Sequence, residues 1–341
     1  MRPVSFGRNT MLITKPYYYD RFRCIAGSCP DSCCKEWDVL VDDASAAYYR
    51  SLPGSLGDRL RQVLKEDDGQ VYMTIENRRC PMWRSDGLCR IQAELGEQAL
   101  CVTCRDFPRL RHDYGDFQEL QLELSCPEAA RLILSAAPES PVTAEYPGGE
   151  APGYDPIDMA ILKATRAQAL EILSDPVFTV PQALALLLLY GYQAQGELDG
   201  GEPLPFCPED ALASADSFRK PGDPGAMAAF FRELEVLTPE WEAVLQSPCP
   251  GPWQKEHLAL ARYFVERYWL QAVADFDLAG RVKFTVISCL LVQYLGGDIF
   301  RTAQLYSKEI ENNMDNVEAI LDAAYTHPAF TDDKLLGMLL G

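Results

Sequence analysis

The sequence predicts a mainly α-helical protein in which a cysteine-rich N-terminal module of short helices and loops precedes a larger helical domain. Nine of the twelve cysteines lie between positions 24 and 126, and apolar residues recur at helical spacing from residue 157 onward. A segment dense in proline and glycine separates these two patterns. We therefore predict a cysteine-rich domain over residues 1–137, a linker over 138–156 and an acidic helical domain over 157–341.

The cysteine-rich part shows few signals of regular structure. Residues 71–75 and 119–124 alternate apolar and polar side chains, which is typical of a half-buried strand, and we expect at most one hairpin. Pro127 and Glu128 follow Cys126 and precede an apolar helical run, so a helix is predicted to begin there. The positive end of that helix would lower the pKa of the Cys126 thiol.

Apolar periodicity predicts a succession of helices in the C-terminal part. The predicted helices cover residues 157–173, 182–195, 226–237, 239–245, 254–274, 281–295, 312–324 and 332–340. Thr331 is placed to cap the last of them. The longest apolar run, residues 183–190, is too short to cross a bilayer, so no membrane insertion is predicted.

The dense grouping of thiols indicates that the cysteines bind something. The nine grouped cysteines are Cys24, Cys29, Cys33, Cys34, Cys80, Cys89, Cys101, Cys104 and Cys126. A disulfide framework is disfavoured because a chain of 341 residues can bury large cores without such links. The first fifteen residues also lack the pattern of a signal peptide, so we expect a cytoplasmic protein with reduced thiols.

Two kinds of metal site remain open at this point. Structural zinc takes four thiolates, usually from two closely spaced pairs, whereas only Cys101 and Cys104 are separated by two residues here. An iron–sulfur cluster also takes cysteine ligands, and the long spacings and excess thiols favour it over zinc. Nine cysteines exceed one four-ligand site. Two sites, or one site with spare thiols, are both compatible with the sequence.

Basic residues accompany the thiols. Arg105 and Arg109 follow the closely spaced pair, and four further arginines surround Cys80 and Cys89. Cations there would offset the charge of an anionic cluster or bind an anionic ligand, so we predict that Arg105 and Arg109 contact a cofactor. The four further arginines are Arg78, Arg79, Arg84 and Arg90.

Charge is distributed unevenly along the chain, whose net charge is −19. Residues 1–135 carry 18 basic and 20 acidic side chains, whereas residues 136–341 carry 13 and 30. Nucleic-acid binding needs a basic face, so the acidic second part argues against it. The acids suit a soluble protein, and they would also attract a lysine-bearing protein substrate.

Six blocks of sequence occur together in order and carry a family resemblance. They are C-x4-C-x3-C-C-K-E-W at 24–37, C-P-M-W at 80–83, G-L-C-R-I-Q at 87–92, L-G-E at 95–97, C-x2-C-R-D-F-P-R at 101–109 and L-S-C-P-E-A-A at 124–130. Over about residues 14–134 the chain resembles the flagellin lysine-N-methylase family, which is related to a wider group described as zinc- or iron-chelating cysteine-cluster proteins. Beyond residue 140 only a general helical character is similar.

The resemblance implies an enzyme that transfers a methyl group from S-adenosylmethionine to lysine ε-amines of flagellin, its protein partner. It also implies an iron–sulfur cluster, of the 4Fe–4S type, with zinc as the alternative metal. The ligands would be drawn from the nine grouped cysteines. No further partner and no oligomeric state follow from the resemblance.

The usual motifs of such chemistry are missing from the sequence. The sequence contains no G-x-G-x-x-G turn of a Rossmann-like methyltransferase. The C-x3-C-x2-C signature of radical S-adenosylmethionine enzymes begins with Cys29 and Cys33, but its third cysteine position is occupied by Glu36. Methyl transfer needs a deprotonated lysine aligned with the methyl donor. The residues that could hold that lysine are Glu36, Asp38, Asp106 and a tyrosine among Tyr17, Tyr18 and Tyr19; no catalytic residue is assigned.

Two functions of other classes therefore remain open. One is a non-catalytic zinc- or iron-binding module whose acidic helical domain docks a protein partner. The other is an iron–sulfur electron-transfer protein, which would need a partner reductase.

Overall fold

The computed structural model describes residues 10–341; residues 1–9, the start of the predicted N-terminal domain, lie outside the described residues. The described chain contains fifteen α-helices and seven β-strands, which confirms a mainly α protein. The expectation of at most one hairpin is wrong, because the strands form two separate sheets. The alternating segments 71–75 and 119–124 overlap two of the strands, Gln70–Met73 and Phe117–Leu122. Several of the other strands are short or exposed, so alternation along the sequence does not reveal them.

The first sheet joins distant parts of the chain in the order β5-β6-β1-β7. Its strands are β1 (Thr10–Lys15), β5 (Arg109–Asp113), β6 (Phe117–Leu122) and β7 (Val142–Pro147). β1 pairs with β6 in parallel and with β7 in antiparallel orientation. β7 lies inside the segment predicted as a linker, and all six of its residues are exposed, which explains why no apolar pattern marks it.

The second sheet carries a small helical layer beside the thiols. It contains β2 (Val39–Val41), β3 (Leu64–Asp67) and β4 (Gln70–Met73) in the order β2-β4-β3. α1 (Asp43–Ser51) and α2 (Gly54–Val63) connect its first two strands. Asp42 caps α1, since its carboxylate accepts the Ser45 backbone N–H at 3.0 Å.

Three short helices each begin directly after a predicted metal ligand. They are α3 (Arg90–Leu95), α4 (Val102–Asp106) and α5 (Pro127–Leu134). Cys89, Cys101 and Cys126 occupy their respective N-cap positions. The predicted helix start at Pro127 is confirmed. These three thiols therefore sit where backbone N–H groups point outward from a helix end.

The C-terminal part is helical, as predicted. Its helices are α6 (Pro156–Ile172), α7 (Val180–Leu198), α8 (Pro208–Phe218), α9 (Pro224–Glu233), α10 (Pro239–Gln246), α11 (Glu256–Tyr268), α12 (Leu278–Leu295), α13 (Ile299–Tyr306), α14 (Met314–Thr326) and α15 (Asp332–Leu340). All eight predicted helices are present, and α8 and α13 are additional. α13 continues into a π-helical turn over Ser307–Glu311. Thr331 precedes α15, but its hydroxyl donates to the Asp333 carboxylate at 2.6 Å and leaves the backbone uncapped.

Two hydrophobic cores organise the described residues. The smaller core packs α1 and α2 on the second sheet and includes the thiols of Cys80 and Cys101. The larger core combines Tyr18, Phe22 and Leu124 with the C-terminal helices. It therefore spans the predicted linker, and the division of the chain into domains stays a prediction.

α12 runs through the centre of the larger core. By length and composition alone it is apolar enough to cross a membrane, and 89% of it is buried inside the protein. Burial of a helix on all sides accounts for an apolar sequence without a lipid environment.

Candidate functional site

The nine grouped thiols lie in two neighbouring clusters. All twelve cysteines are free, so none of them forms a disulfide. The inner thiol group, which packs on the smaller core, consists of Cys34, Cys80, Cys89, Cys101 and Cys104. The outer thiol group, whose members influence one another's ionisation, consists of Cys24, Cys29, Cys33 and Cys126. The adjacent residues Cys33 and Cys34 place one thiol in each group.

Hydrogen bonds between thiols organise the inner group. The Cys80 backbone N–H donates to the Cys34 carbonyl at 2.8 Å, which holds two distant segments together. The Cys80 thiol donates to the Met73 sulfur at 3.4 Å. Close interaction with the thiols of Cys33 and Cys80 lowers the pKa of Cys34 and raises the pKa of the other two. In the same way Cys104 donates to Cys101 and lowers the pKa of Cys101 to about 7. The electrostatic influence of Cys34 and Cys101 reaches Cys89, where burial is the larger cause of a raised pKa.

The outer group is more open to solvent than the inner group. Cys24 and Cys33 are exposed, whereas Cys29 and Cys126 are partly buried. Burial raises the pKa of the Cys126 thiol to about 11. The backbone N–H groups at the start of α5 act in the predicted direction but are outweighed, so the expectation of a lowered pKa at Cys126 is wrong. The free-energy penalty of desolvating the thiolate is larger here than the stabilisation that the helix N-terminus provides.

The donor set fits a thiolate-bound metal in its chemistry. Both zinc and iron–sulfur clusters take cysteine sulfur, and the two groups offer four and five thiols. Among residues 10–341 no set of three or more His, Cys, Asp or Glu side chains is already arranged to hold a metal ion. Binding would require the thiols to turn towards a common centre and to lose their protons. Metal binding by these nine cysteines stays a prediction.

A buried ion cluster anchors the loop that carries the outer thiols. Asp31 lies between Cys29 and Cys33, and its carboxylate is 3.2 Å from both the Arg301 guanidinium and the Lys308 ammonium. Burial opposes ionisation of Asp31, but the two cations prevail and lower its pKa to about 2. Charges of opposite sign that are this close favour the ionised carboxylate. No motif pointed to Lys308, which lies on the unpredicted π-helical turn.

α13 and its π-helical turn also contact the neighbourhood of both thiol groups. The Gln304 amide donates to the Ser125 carbonyl at 2.6 Å, one residue before Cys126. The Lys308 ammonium lies 5.1 Å from the centre of the Trp37 ring, which packs against the smaller core. The C-terminal helices therefore fix the loops from which thiols of both groups project.

The predicted cofactor-binding arginines take other partners in this structure. The Arg105 guanidinium is 3.3 Å from the Asp106 carboxylate, and the Arg109 guanidinium lies 5.1 Å from the Phe22 ring centre. Arg78, Arg84 and Arg90 likewise pair with Glu36, Asp86 and Glu94. A cofactor role for Arg105 and Arg109 stays a prediction.

Two tyrosines among the residues predicted to hold a lysine line a pocket. Glu36 is 2.7 Å from the Arg78 guanidinium, and Asp38 accepts the Ile75 backbone N–H at 2.8 Å. Tyr17 and Tyr18 instead line a pocket of about 100 Å³ between β6, the end of α5 and α11, which we call the α11 pocket. Its opposite walls carry side chains that the sequence did not single out, including Gln121, Arg166, Arg262 and Glu266. No motif marks these residues, because strands and helices far apart in the chain bring them together.

Comparison with known proteins finds similarity over part of the chain. Over 130 residues the chain is 32% identical to a Lysine-N-methylase of Salmonella typhimurium. The aligned segment covers 36% of this chain and 32% of that protein. The Flagellar biosynthetic protein FliU of Salmonella muenchen is also 32% identical over 130 residues, covering 36% of this chain and 77% of that protein. A Lysine-N-methylase of Salmonella choleraesuis matches to the same extent as the first.

The match therefore spans about a third of the two lysine-N-methylases and about three quarters of the FliU protein. No family model matches the chain. No solved structure matches it.

Proposed function

Because this chain belongs to the flagellin lysine-N-methylase family, we propose that it transfers methyl groups from S-adenosylmethionine to lysine ε-amines of flagellin. The observation that carries the proposal is the gathering of nine free thiols from distant segments into two adjacent groups. A protein has little reason to keep so many reduced thiols together unless they bind a shared centre.

The reaction itself makes modest demands on the protein. The bond between the sulfonium sulfur and the methyl carbon breaks with its electron pair left on sulfur, and the lysine nitrogen uses its lone pair to bond the methyl carbon. The ammonium must therefore lose a proton before or during transfer. Alignment of the two substrates and an acceptor for that proton are the contributions expected of the side chains.

We further propose that an iron–sulfur cluster takes its ligands from the nine grouped cysteines. Cys34 would belong to the inner site and Cys33 to the outer one, since each shares hydrogen bonds or charge with the other members of its group. When bound, a cluster would supply strong bonds between sulfur and iron that tie separate segments of chain into one rigid platform. A spectator role for the metal and a role in binding the methyl donor both remain compatible with this arrangement.

The test combines metal analysis with a transfer assay on the full chain. After anaerobic purification we expect iron and acid-labile sulfide in equal amounts and broad visible absorption. Incubation with methyl-labelled S-adenosylmethionine and flagellin should then label lysine, whereas flagellin whose lysines have been acetylated beforehand should stay unlabelled.

The outcomes separate the functions considered above. A colourless protein with tightly held zinc would favour the non-catalytic metal-binding module. A reversible cluster that never supports labelling of any lysine would remove the methyltransferase assignment and leave electron transfer.

A further inference from the structure

The α11 pocket contains polar groups that no other part of the described chain satisfies. Most of its ordinary partners are already engaged: the Arg166 guanidinium binds both oxygens of Glu119, at 2.8 and 2.6 Å. The Tyr17 hydroxyl accepts the Ala137 backbone N–H at 3.0 Å. The polar side chains of the pocket that have no partner therefore indicate what the pocket can bind.

Three side chains of the lining are left without a partner among residues 10–341. The Glu266 carboxylate has no basic group within 4 Å and accepts no hydrogen bond. The Gln121 amide makes no hydrogen bond, and its oxygen is buried in a side chain that is only 6% exposed. The Tyr18 hydroxyl also makes none, although the residue is almost entirely buried. Of the three, only the Gln121 oxygen is completely buried without a partner, a state in which buried polar groups are rarely left. The Glu266 and Tyr18 oxygens are not fully closed off, so a ligand in the pocket is the natural partner of all three.

None of the charged side chains around Glu266 in the described chain places a cation in contact with its carboxylate. Arg166, Arg262, Glu119 and the Tyr18 hydroxyl face this carboxylate from the surrounding elements. Arg166 is committed to Glu119, and Arg262 forms no ion pair in the described chain. Burial raises the pKa of Glu266 against the influence of both arginines. A carboxylate that is desolvated without a contacting cation is stabilised by any positive ligand that reaches it.

We propose that the α11 pocket binds a primary aliphatic ammonium group through Glu266, Gln121 and Tyr18. An ammonium offers three N–H donors, and these three side chains offer three oxygen acceptors. Tyr17 and Tyr18, whose ring centres are 5.5 Å apart at an angle of 79°, provide an aromatic wall for the attached methylene chain. Glu266 is a binding residue in this arrangement, and it is also placed to accept the proton that the amine must lose.

The proposed function, on which this part of the inference rests, provides two sources of a primary ammonium group. One is the ε-ammonium of a substrate lysine. The other is the α-ammonium of S-adenosylmethionine, whose carboxylate would lie towards Arg262. The chemistry at Glu266 is common to both, so binding experiments with separate probes distinguish them.

The experiment measures binding to the full chain by titration calorimetry, without turnover. The probes are Nα-acetyl-L-lysine methylamide, its Nε-acetylated derivative, and S-adenosylhomocysteine. We expect one of the two ammonium probes to bind, and Glu266→Gln to weaken that probe about tenfold to a hundredfold by removing a charged hydrogen bond. The Nε-acetylated probe should not bind if the lysine is the ligand.

Glu256→Gln, on the same helix but outside the pocket, is the matched control and should bind like the parent protein. Tyr18→Phe removes one acceptor without changing shape and should weaken binding severalfold, which keeps the test decisive if Glu266→Gln fails to fold. Failure of both ammonium probes to bind the parent protein, or unchanged binding to Glu266→Gln, would overturn the proposal. Binding by a protein that transfers no methyl group would uphold the pocket and count against the proposed function alone.

Discussion

Asp31 shows how one residue controls the position of the outer thiols. Its carboxylate is almost completely buried, yet three cations surround it: Arg301 and Lys308 at 3.2 Å and Lys35 at 3.5 Å. Since Cys29 and Cys33 lie two residues to either side, the loop cannot move without breaking these contacts. The interaction is electrostatic, and the sequence separation of about 270 residues hides it from any local pattern.

Replacing Asp31 by asparagine should destabilise the fold at neutral pH. The folded-state pKa of about 2 lies below the ordinary 3.8, so the ionised carboxylate stabilises the protein above pH 4 and loses this effect as the pH falls towards 2. We expect Asp31→Asn to lower the free energy of unfolding by about 2 kcal/mol at pH 7, and by much less near pH 2. Denaturant unfolding at pH 7, 4 and 2.5 measures this.

Asp67→Asn, at an exposed position of β3, is the control and should change the free energy of unfolding little at any of these pH values. Equal destabilisation by Asp31→Asn across the whole range would show that the carboxylate's charge is unimportant.

Among the helices, α7 and α12 pack closely against each other in the larger core. Gly191 on α7 lies directly against Val282 on α12, and a Cβ atom at Gly191 would be only 2.7 Å from the nearest Val282 methyl group. Glycine is therefore required for this approach. The contact fixes α12, which in turn packs against α11, α13 and α14.

Gly191→Ala should lower the free energy of unfolding by about 1–3 kcal/mol, because the two helices must separate to make room for a methyl group. Gly196→Ala is the control on the same helix: nothing lies within 4 Å of its Cβ position, and better helix propensity should stabilise the protein by about 0.5–1 kcal/mol. Thermal and denaturant unfolding of both variants would measure the difference. An unchanged free energy of unfolding in Gly191→Ala would mean that α7 and α12 can separate enough for a methyl group without loss of stability.

At the scale of the whole molecule, the thiol groups lie where two parts of the chain meet. The smaller core holds the inner group from one side, and α13 with its π-helical turn contacts the loops from the other. Cys34 is central to this arrangement, since its carbonyl accepts the Cys80 backbone N–H and its thiol interacts with those of Cys33 and Cys80. Metal binding, if it occurs as proposed, would join segments that already touch.

Cys34→Ser should therefore lose most of the bound iron and sulfide, because serine replaces a thiolate with a poor ligand. Cys207→Ser, an exposed cysteine at the start of α8 and outside both thiol groups, should retain the parent metal content. Metal analysis of anaerobically purified proteins, with circular dichroism to confirm folding, provides the comparison. Equal metal contents in the two variants would place the metal elsewhere.

The pH dependence of metal uptake should follow from the protonated thiols. Hydrogen bonding and burial raise the pKa of Cys33, Cys80 and Cys104, so binding must displace their protons and weakens as the pH falls.

Local patterns were sufficient to predict eight of the ten C-terminal helices, the set of grouped cysteines and the family. Pro127 marked the start of α5, and the last helix was predicted with its observed bounds, since a first-turn proline and apolar periodicity act within one or two turns of the residues that carry them. Four other features could not be predicted from local patterns: the division of the nine thiols into two groups, the parallel pairing of β1 with β6, the contact of Lys308 with Asp31 and the lining of the α11 pocket. Each of these features depends on packing between segments that are far apart in the chain, where burial and long-range electrostatic interactions outweigh local sequence preferences. The pKa of Cys126 is an example, since burial raises it although the thiol lies at the start of a helix.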